Sequence, residues 1–269
     1  MRRLEAPAKI NLALVVGPLR PDGKHEVRTI LQQIDLADEV ELSIGNELTV
    51  SGFADDTLVT AALTALGAAA GVDPSWNVRI TKTIPVSAGL GGGSSDAAAA
   101  LLLANDTLDA PFDDKRLSEI AAGIGADVPF FLRRGTQLGS GDGSQLAPLD
   151  LPLDFTVLLV LPHDAHKEST ARVYADFDAR EGATGFEERR AALAAALAAV
   201  ARTEDLAALP PNDLATSPLA ERLVRAGAIR ADVSGAGPSV YAIFADASRA
   251  REVGHDFRSV GHTWVVAPV

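Results

Sequence analysis

The stretch that most constrains this chain is Pro85-Val86-Ser87-Ala88-Gly89-Leu90-Gly91-Gly92-Gly93-Ser94-Ser95-Asp96, set between an alternating segment, Trp76 to Lys82, and an Ala/Leu run from Ala97 to Ala104. The order is strand, glycine loop, helix. Glycines at 89, 91, 92 and 93 let the backbone take positive φ and place no Cβ between its amides and a ligand. A helix starting at about Ser94 opens with unpaired N–H groups at the positive end of its dipole, which favours an anion there. A flexible linker is the plain alternative, but linkers continue into polar or low-complexity sequence, and both flanks here are apolar and periodic. The segment reads as a phosphate cradle. It has neither the Gly-Lys-Ser/Thr ending of a P-loop nor the Gly-x-Gly-x-x-Gly spacing of a dinucleotide fold, so a third class of nucleotide loop is required.

The rest of the chain limits what such a cradle serves. Its 269 residues, 47% apolar and 22% charged, suffice for a full core and for one large or two ordinary domains. A net charge of −12 and a pI near 4.8 argue against a general affinity for nucleic acid or anionic membrane, so anions must be held by local devices. The absence of cysteine excludes disulfides, thiolate metal sites and a cysteine nucleophile. Met1-Arg2-Arg3 resembles the start of a signal, but Glu5, Pro7, Lys9 and Asn11 break any apolar core behind it, and the longest apolar run, Ala191 to Ala201, is too short and alanine-rich to span a bilayer. The expectation is a soluble, cytoplasmic protein.

Along the chain, Ala8 to Val16 alternates as a strand, Gly17-Pro18 and Pro21-Asp22-Gly23 predict turns, and Val27 to Ile34 and Glu39 to Ile44 predict extended runs. Thr57 to Ala70 has apolar residues at helical spacing and closes at Gly71. Asp113 caps a predicted helix, Asp114 to Ile124, that ends at Gly125. Pro129 biases Val128 towards an extended conformation. Gly139 to Gly143 reads as a hairpin-like turn. The texture changes near Pro152, which places a boundary between domains at 1–152 and 153–269. Beyond it the pattern is strand (Phe155 to Leu161), helices (Ser169 to Ala179, Phe186 to Val200, Pro218 to Ala226), strands (Ile229 to Ser234, Ser239 to Phe244), helix (Ala247 to Phe257) and strand (Thr263 to Val266). Taking the helices between the first two strands as one insertion gives β-α-β-β-α-β, a ferredoxin-like order. Ser234-Gly235-Ala236-Gly237-Pro238-Ser239 is a second glycine turn, explicable as a hairpin or as a ligand-facing loop.

Three separated stretches, Ala6-Pro7-Ala8-Lys9-Ile10-Asn11-Leu12, the Gly-Leu-Gly-Gly-Gly-Ser-Ser-Asp loop at 89–96, and Ser234-Gly235-Ala236-Gly237, resemble in that order the three motifs of the GHMP kinases. A narrower likeness runs over nearly the whole chain, to the members that phosphorylate a cytidine-diphosphate-linked methylerythritol. It is carried by Pro7 to Leu12, Asp22-Gly23-Lys24-His25-Glu26, the cradle, Gly125-Ala126-Asp127-Val128-Pro129-Phe130 and Asn212-Asp213-Leu214. The resemblance implies a two-domain α+β fold, with a β-rich amino-terminal domain and a ferredoxin-like carboxy-terminal one. It also implies transfer of the ATP γ-phosphate to a tertiary hydroxyl in non-mevalonate isoprenoid synthesis.

By the same resemblance Lys9 and Asp127 are the catalytic pair. Taken singly, the first reads as a strand-end lysine and the second as a turn residue; together, beside a cradle, they suit a hydroxyl-orienting acid and a charge-offsetting ammonium. ATP is expected on Pro85, Gly89, Leu90, Gly91, Gly92, Gly93, Ser94 and Ser95, with Lys82 beside the nucleotide and Leu58 against adenine. The acceptor is expected on Asn11, Lys24, His25 and Tyr174, with His25 reading the cytosine edge and Tyr174 stacking on the base. Mg²⁺ is expected to accompany ATP near Ser94 or Ser95, since no carboxylate cluster in the sequence marks a protein-built metal site. Lys24 stands where the family usually has a tyrosine, Thr57 where it has an adenine-pocket asparagine, and Ala236 where a hydroxyl is common. A GHMP kinase for another small alcohol and a non-catalytic nucleotide-binding relative are the rival readings. The Asp22-Gly23-x-His25-Glu26 stretch speaks against the first, and the joint presence of Lys9 and Asp127 against the second.

Overall fold

The computed structural model describes residues 1–165 and 169–269. In chain order the elements are β1 (Arg2–Leu19), β2 (His25–Ile44), β3 (Thr49–Ser51), α1 (Leu58–Ala70), β4 (Trp76–Thr81), α2 (Gly92–Asn105), α3 (Asp114–Ile124), β5 (Thr136–Ser140), β6 (Gln145–Pro148), β7 (Thr156–Pro162), α4 (Thr170–Ala179), α5 (Phe186–Ala199), α6 (Pro218–Arg225), β8 (Arg230–Val233), β9 (Val240–Phe244), α7 (Ala247–Asp256) and β10 (Gly261–Val266). Among the described residues no helix is long and apolar enough to cross a membrane.

These elements form two compact units, each assembled from separate segments. The first takes residues 1–8, 36–86 and 91–134, the second residues 9–35, 87–90 and 135–269. The sequence texture suggests one division near Pro152, whereas the units interleave, because β1 and β2, 18 and 20 residues long, each contribute to both.

In the first unit β4 pairs antiparallel with the carboxy-terminal part of β2, from Glu39↔Thr81 to Ile44↔Trp76, and parallel with β3. β4 alternates strictly: Trp76, Val78 and Ile80 are buried while Asn77, Arg79 and Thr81 are exposed, as a half-buried strand requires. The helices supply the apolar partners, Val59, Ala62, Leu63 and Leu66 from α1 and the buried alanines and leucines of α2. The ends of α1 follow from local chemistry. Asp56 accepts from the Val59 and Thr60 N–H groups at one end, and Gly71, at φ 68°, closes the other in the left-handed conformation that glycine takes without strain.

In the second unit β2 pairs with β5 from Thr29↔Gly139 to Gln32↔Thr136, and β5 with β6. The last four strands form an antiparallel sheet in the order β10-β7-β9-β8, the ferredoxin-like arrangement expected from the element order. Its core includes Leu158, Val160, Val240, Ala242 and Phe244, packed with Leu219 and Leu223 of α6 and Val253 of α7.

Three local expectations are corrected. β1 runs through Gly17-Pro18 to Leu19 and the chain turns only at residues 21–24; a proline near the end of a strand costs no interior ladder bond. Val128 is helical (φ −62°, ψ −44°) rather than extended, and Pro129 opens a 3-10 turn, Pro129–Leu132. Proline is tolerated at that first position, where its missing N–H has no intrahelical partner to lose. α2 begins at Gly92, two residues earlier than the Ser94 start read from the sequence.

Candidate active site

The cradle converts glycine content into an open helix end. Gly91 caps α2 in the left-handed conformation (φ 72°) and supplies no side-chain cap to the first-turn N–H groups. Those donors and the helix dipole are available to an anion. Lys82 lies at the same place. A Cβ built on Gly92 would come 3.3 Å from Lys82 Nζ and 3.4 Å from Asp38 Oδ2, and one on Gly93 would come 3.3 Å from Leu58 Cδ1. Leu58 and Lys82 thus border the glycines with which sequence reading grouped them.

Lys82 is held by two carboxylates. Its Nζ is 2.5 Å from Asp38 Oδ2 and 2.7 Å from Asp96 Oδ2. The other oxygen of Asp38 accepts from the N–H groups of Thr83 and Ile84, at 2.5 and 2.8 Å, so one buried acid fixes both the lysine and the backbone that leads into the loop. Burial works against the charge on Lys82, but the hydrogen bonds and charges of Asp38 and Asp96 outweigh it and raise its pKa. For Asp96 burial dominates and pushes the carboxyl up to about 7 against the pull of Lys82. Among the described residues, Ser95 Oγ and Asp96 Oδ1 are buried with no hydrogen-bond partner. Such groups are rare enough in folded proteins to point to something that completes them. Asp127, also in this unit, lies in the turn between α3 and the 3-10 segment.

In the second unit Lys9 and Asn11 project from the same face of β1, both 4% exposed, with Lys9 Nζ donating to Asn11 Oδ1 at 2.6 Å. The Lys9 backbone N–H donates to the Leu90 carbonyl. The second glycine turn is tied to the same neighbourhood: Ser234 Oγ donates to the Gly89 carbonyl at 3.0 Å. A Cβ on Gly89 (φ +79°) would come 2.4 Å from the Ser234 carbonyl oxygen, so glycine is required there. Asn212 donates from its side chain to the carbonyls of Val233 and Gly235, and its backbone N–H donates to Asp232, which is ion-paired with buried Arg230. The turn is therefore a braced loop and not merely a hairpin connection.

His25 is buried at the start of β2. Its Nδ1 lies 2.8 Å from the Gly17 carbonyl, an obligate acceptor, so Nδ1 carries a proton, and Nε2 lies 3.5 Å from Asp178 Oδ2. Tyr174 of α4 stacks on the imidazole at 5.0 Å between centroids, and Phe177 meets it edge-on. Lys24 stands half exposed with its Nζ 2.5 Å from Asp142 Oδ2. Partial burial raises the Asp142 carboxyl, but hydrogen bonds from Lys24 and from the Ser144 side chain and backbone outweigh it and hold the group down at about 2.

Within each unit, then, Leu58, Lys82 and residues 92–95 gather in one and Lys9, Asn11, Gly89 and Leu90 in the other, where His25 also meets Tyr174. Sequence reading missed Asp38 and Thr29 and gave Asp96, the last residue of the cradle, no role of its own, although all three hold these groups. A signal for Asp38 exists: it takes the inward position in the alternation Leu36, Asp38, Val40, Leu42, where an acid without a partner would be costly.

Comparison with known proteins places this arrangement. Family models described as "GHMP kinases N terminal domain" and "GHMP kinases C terminal" match residues 57–135 and 187–263. A mevalonate kinase of Methanococcus jannaschii has the same fold, with a TM-score of 0.76 at 14% identity over 100% of this chain and 98% of that one. The fold is that of the GHMP kinase class. A solved 4-(cytidine 5'-diphospho)-2C-methyl-D-erythritol kinase matches with a TM-score of 0.79 and 28% identity over 99% of each chain. The 4-diphosphocytidyl-2-C-methyl-D-erythritol kinase of Geobacter metallireducens is 36% identical over 98% of this chain and 96% of its own. That of Gloeobacter violaceus is 39% identical over 93% and 88%. The chain belongs to the 4-diphosphocytidyl-2-C-methyl-D-erythritol kinase family.

Proposed function

We propose that the chain transfers the γ-phosphoryl group of ATP to the tertiary 2-hydroxyl of 4-diphosphocytidyl-2-C-methyl-D-erythritol, a step in the non-mevalonate synthesis of isoprenoid precursors. The observation that carries this reading is the uncapped first turn of α2 with the Lys82 ammonium beside it, in a chain whose relatives of that name match over nearly its full length. In an acidic protein this is a concentrated device for a polyphosphate.

The protein's part in the reaction is positioning and charge. Phosphoryl transfer is described as loose, with little bond to the attacking oxygen at the transition state, so alignment counts for more than base strength. Asp127 orients the acceptor hydroxyl and takes its proton as the new P–O bond forms and the bond to the β-phosphate oxygen breaks, releasing ADP. Lys9, fixed by Asn11, offsets negative charge near the reacting phosphoryl group. Lys82 and the α2 amides hold the nucleotide phosphates. Mg²⁺ suits the oxygen donors left without partners at Ser95 and Asp96, and when bound it neutralises phosphate charge. His25, with its proton fixed on Nδ1, offers Nε2 to the amino edge of cytosine, and Tyr174 offers a ring face.

Asp127→Asn keeps the shape and removes the proton acceptor. It should fold, bind both substrates and lose on the order of a hundred- to ten-thousand-fold in turnover. Equilibrium binding and single-turnover rates measure this, and wild-type turnover in the variant would remove Asp127 from the mechanism.

A further inference from the structure

Lys9 is held by a relay whose direction is set at its far end. Lys9 Nζ donates to Asn11 Oδ1 at 2.6 Å, Asn11 Nδ2 donates to Thr29 Oγ1 at 2.9 Å, and Thr29 Oγ1 donates to the Ala13 carbonyl at 2.8 Å. A carbonyl oxygen can only accept, and a threonine hydroxyl has one hydrogen to give. With that hydrogen committed to Ala13, Thr29 can meet Asn11 only as an acceptor. Asn11 must then turn its amino group towards Thr29, which leaves its carbonyl oxygen for the ammonium. An inverted amide would set N–H donors against the ammonium instead.

The surroundings lock this relay. Thr29 is 3% exposed and sits opposite Gly139 of β5. A Cβ on Gly139 would come 2.9 Å from the Thr29 methyl, so the missing side chain is the space into which that methyl fits and which holds the hydroxyl towards Ala13. At the other end, a Cβ on Gly235 would come 3.2 Å from Lys9 Nζ and 3.5 Å from Asn11 Oδ1. The second glycine turn therefore passes over the ammonium–amide pair with no side chain between.

We propose that Thr29 is a positioning residue for phosphoryl transfer: its hydroxyl fixes the orientation of the Asn11 amide and, through it, the place of the Lys9 ammonium. The proposal rests on the role given to Lys9 above. Thr29 touches neither substrate nor reacting atoms in this account; it acts through Asn11 and Lys9.

The test compares Thr29→Val, Thr29→Ser, Thr29→Ala and Lys9→Ala, reading kcat, KM for ATP and the thermal midpoint. Valine keeps the buried methyl and removes the hydroxyl; serine does the reverse. The relay predicts that Thr29→Val loses roughly ten- to a hundredfold in kcat, the scale of an ångström-sized misplacement, with KM for ATP within about twofold. Thr29→Ser should stay within roughly threefold of wild type in kcat although it is the less stable of the two, since it leaves a small cavity. A purely structural role predicts the opposite order in activity, and that order, or wild-type kcat in Thr29→Val, overturns the proposal. If the valine variant does not fold, serine against alanine isolates the same hydroxyl: alanine alone should lose kcat, and equal kcat in the two overturns the relay. Retained turnover in Lys9→Ala would remove the Lys9 reading and the relay with it. An inactive Lys9→Ala beside an unaffected Thr29→Val would remove the relay alone.

Discussion

Lys24 shows how a single substitution in a motif is absorbed by its neighbours. In place of an aromatic ring it sets an ammonium against Asp142 at 2.5 Å, so its charge is offset within the protein, a partnership that residues 118 apart in sequence could not disclose. The consequence is measurable. The Asp142 carboxyl is held at about 2 when folded against an ordinary 3.8, so the unfolded chain binds its proton more readily. The stabilisation is therefore complete above about pH 4 and is lost as pH falls through about 2. Because Lys24 is half exposed, solvent screening reduces the effect to on the order of 1 kcal/mol. Urea midpoints should show wild type ahead of Asp142→Asn at pH 6 and the gap closing towards pH 2. A gap independent of pH would mean that the contact contributes nothing through its charge.

Element boundaries were legible where a capping residue announces them and obscure where tertiary structure decides. Asp113 and Gly125 bracket α3 as the sequence predicts, with Asp113 accepting from the Arg116 N–H. The start of α2 lies two residues before the Ser94 read from the sequence: glycine propensity disfavours helix at 92 and 93, while Ala97, Ala98 and Leu101 are buried in the core along a helix that opens at Gly92. That early start brings Gly92 against Lys82 and Asp38, so a side chain there meets the groups beside the open helix end. Valine there should displace the ammonium as well as intrude on the phosphates, weakening ATP affinity at least tenfold, about 1.4 kcal/mol. Gly123→Ala, on α3 with no atom within 4 Å of the added Cβ, should leave affinity unchanged. Calorimetry on the two folded variants decides; equal ATP affinities would detach the cradle from nucleotide binding.

At the scale of the molecule, the order of elements is enough to read the ferredoxin-like sheet: β7 and β9 carry the apolar runs of its two central strands, and the sheet falls in the order β10-β7-β9-β8. The interleaving of the two units was not legible: nothing in the local pattern of β1 or β2 says that one strand serves two cores. The site divides in the same way. Glycine loops and motif residues announce themselves through composition, whereas Asp38, Asp96 and Thr29 act through buried hydrogen bonds between positions distant in sequence. The central claim concerns the acceptor, and one measurement addresses it directly: ADP release and phosphomonoester formation, by ³¹P resonance, with ATP and each of 4-diphosphocytidyl-2-C-methyl-D-erythritol, mevalonate, homoserine and galactose. The account predicts stoichiometric phosphorylation of the cytidine-linked acceptor and negligible product from the other three. Preferred turnover of another alcohol, or of none, would contradict it.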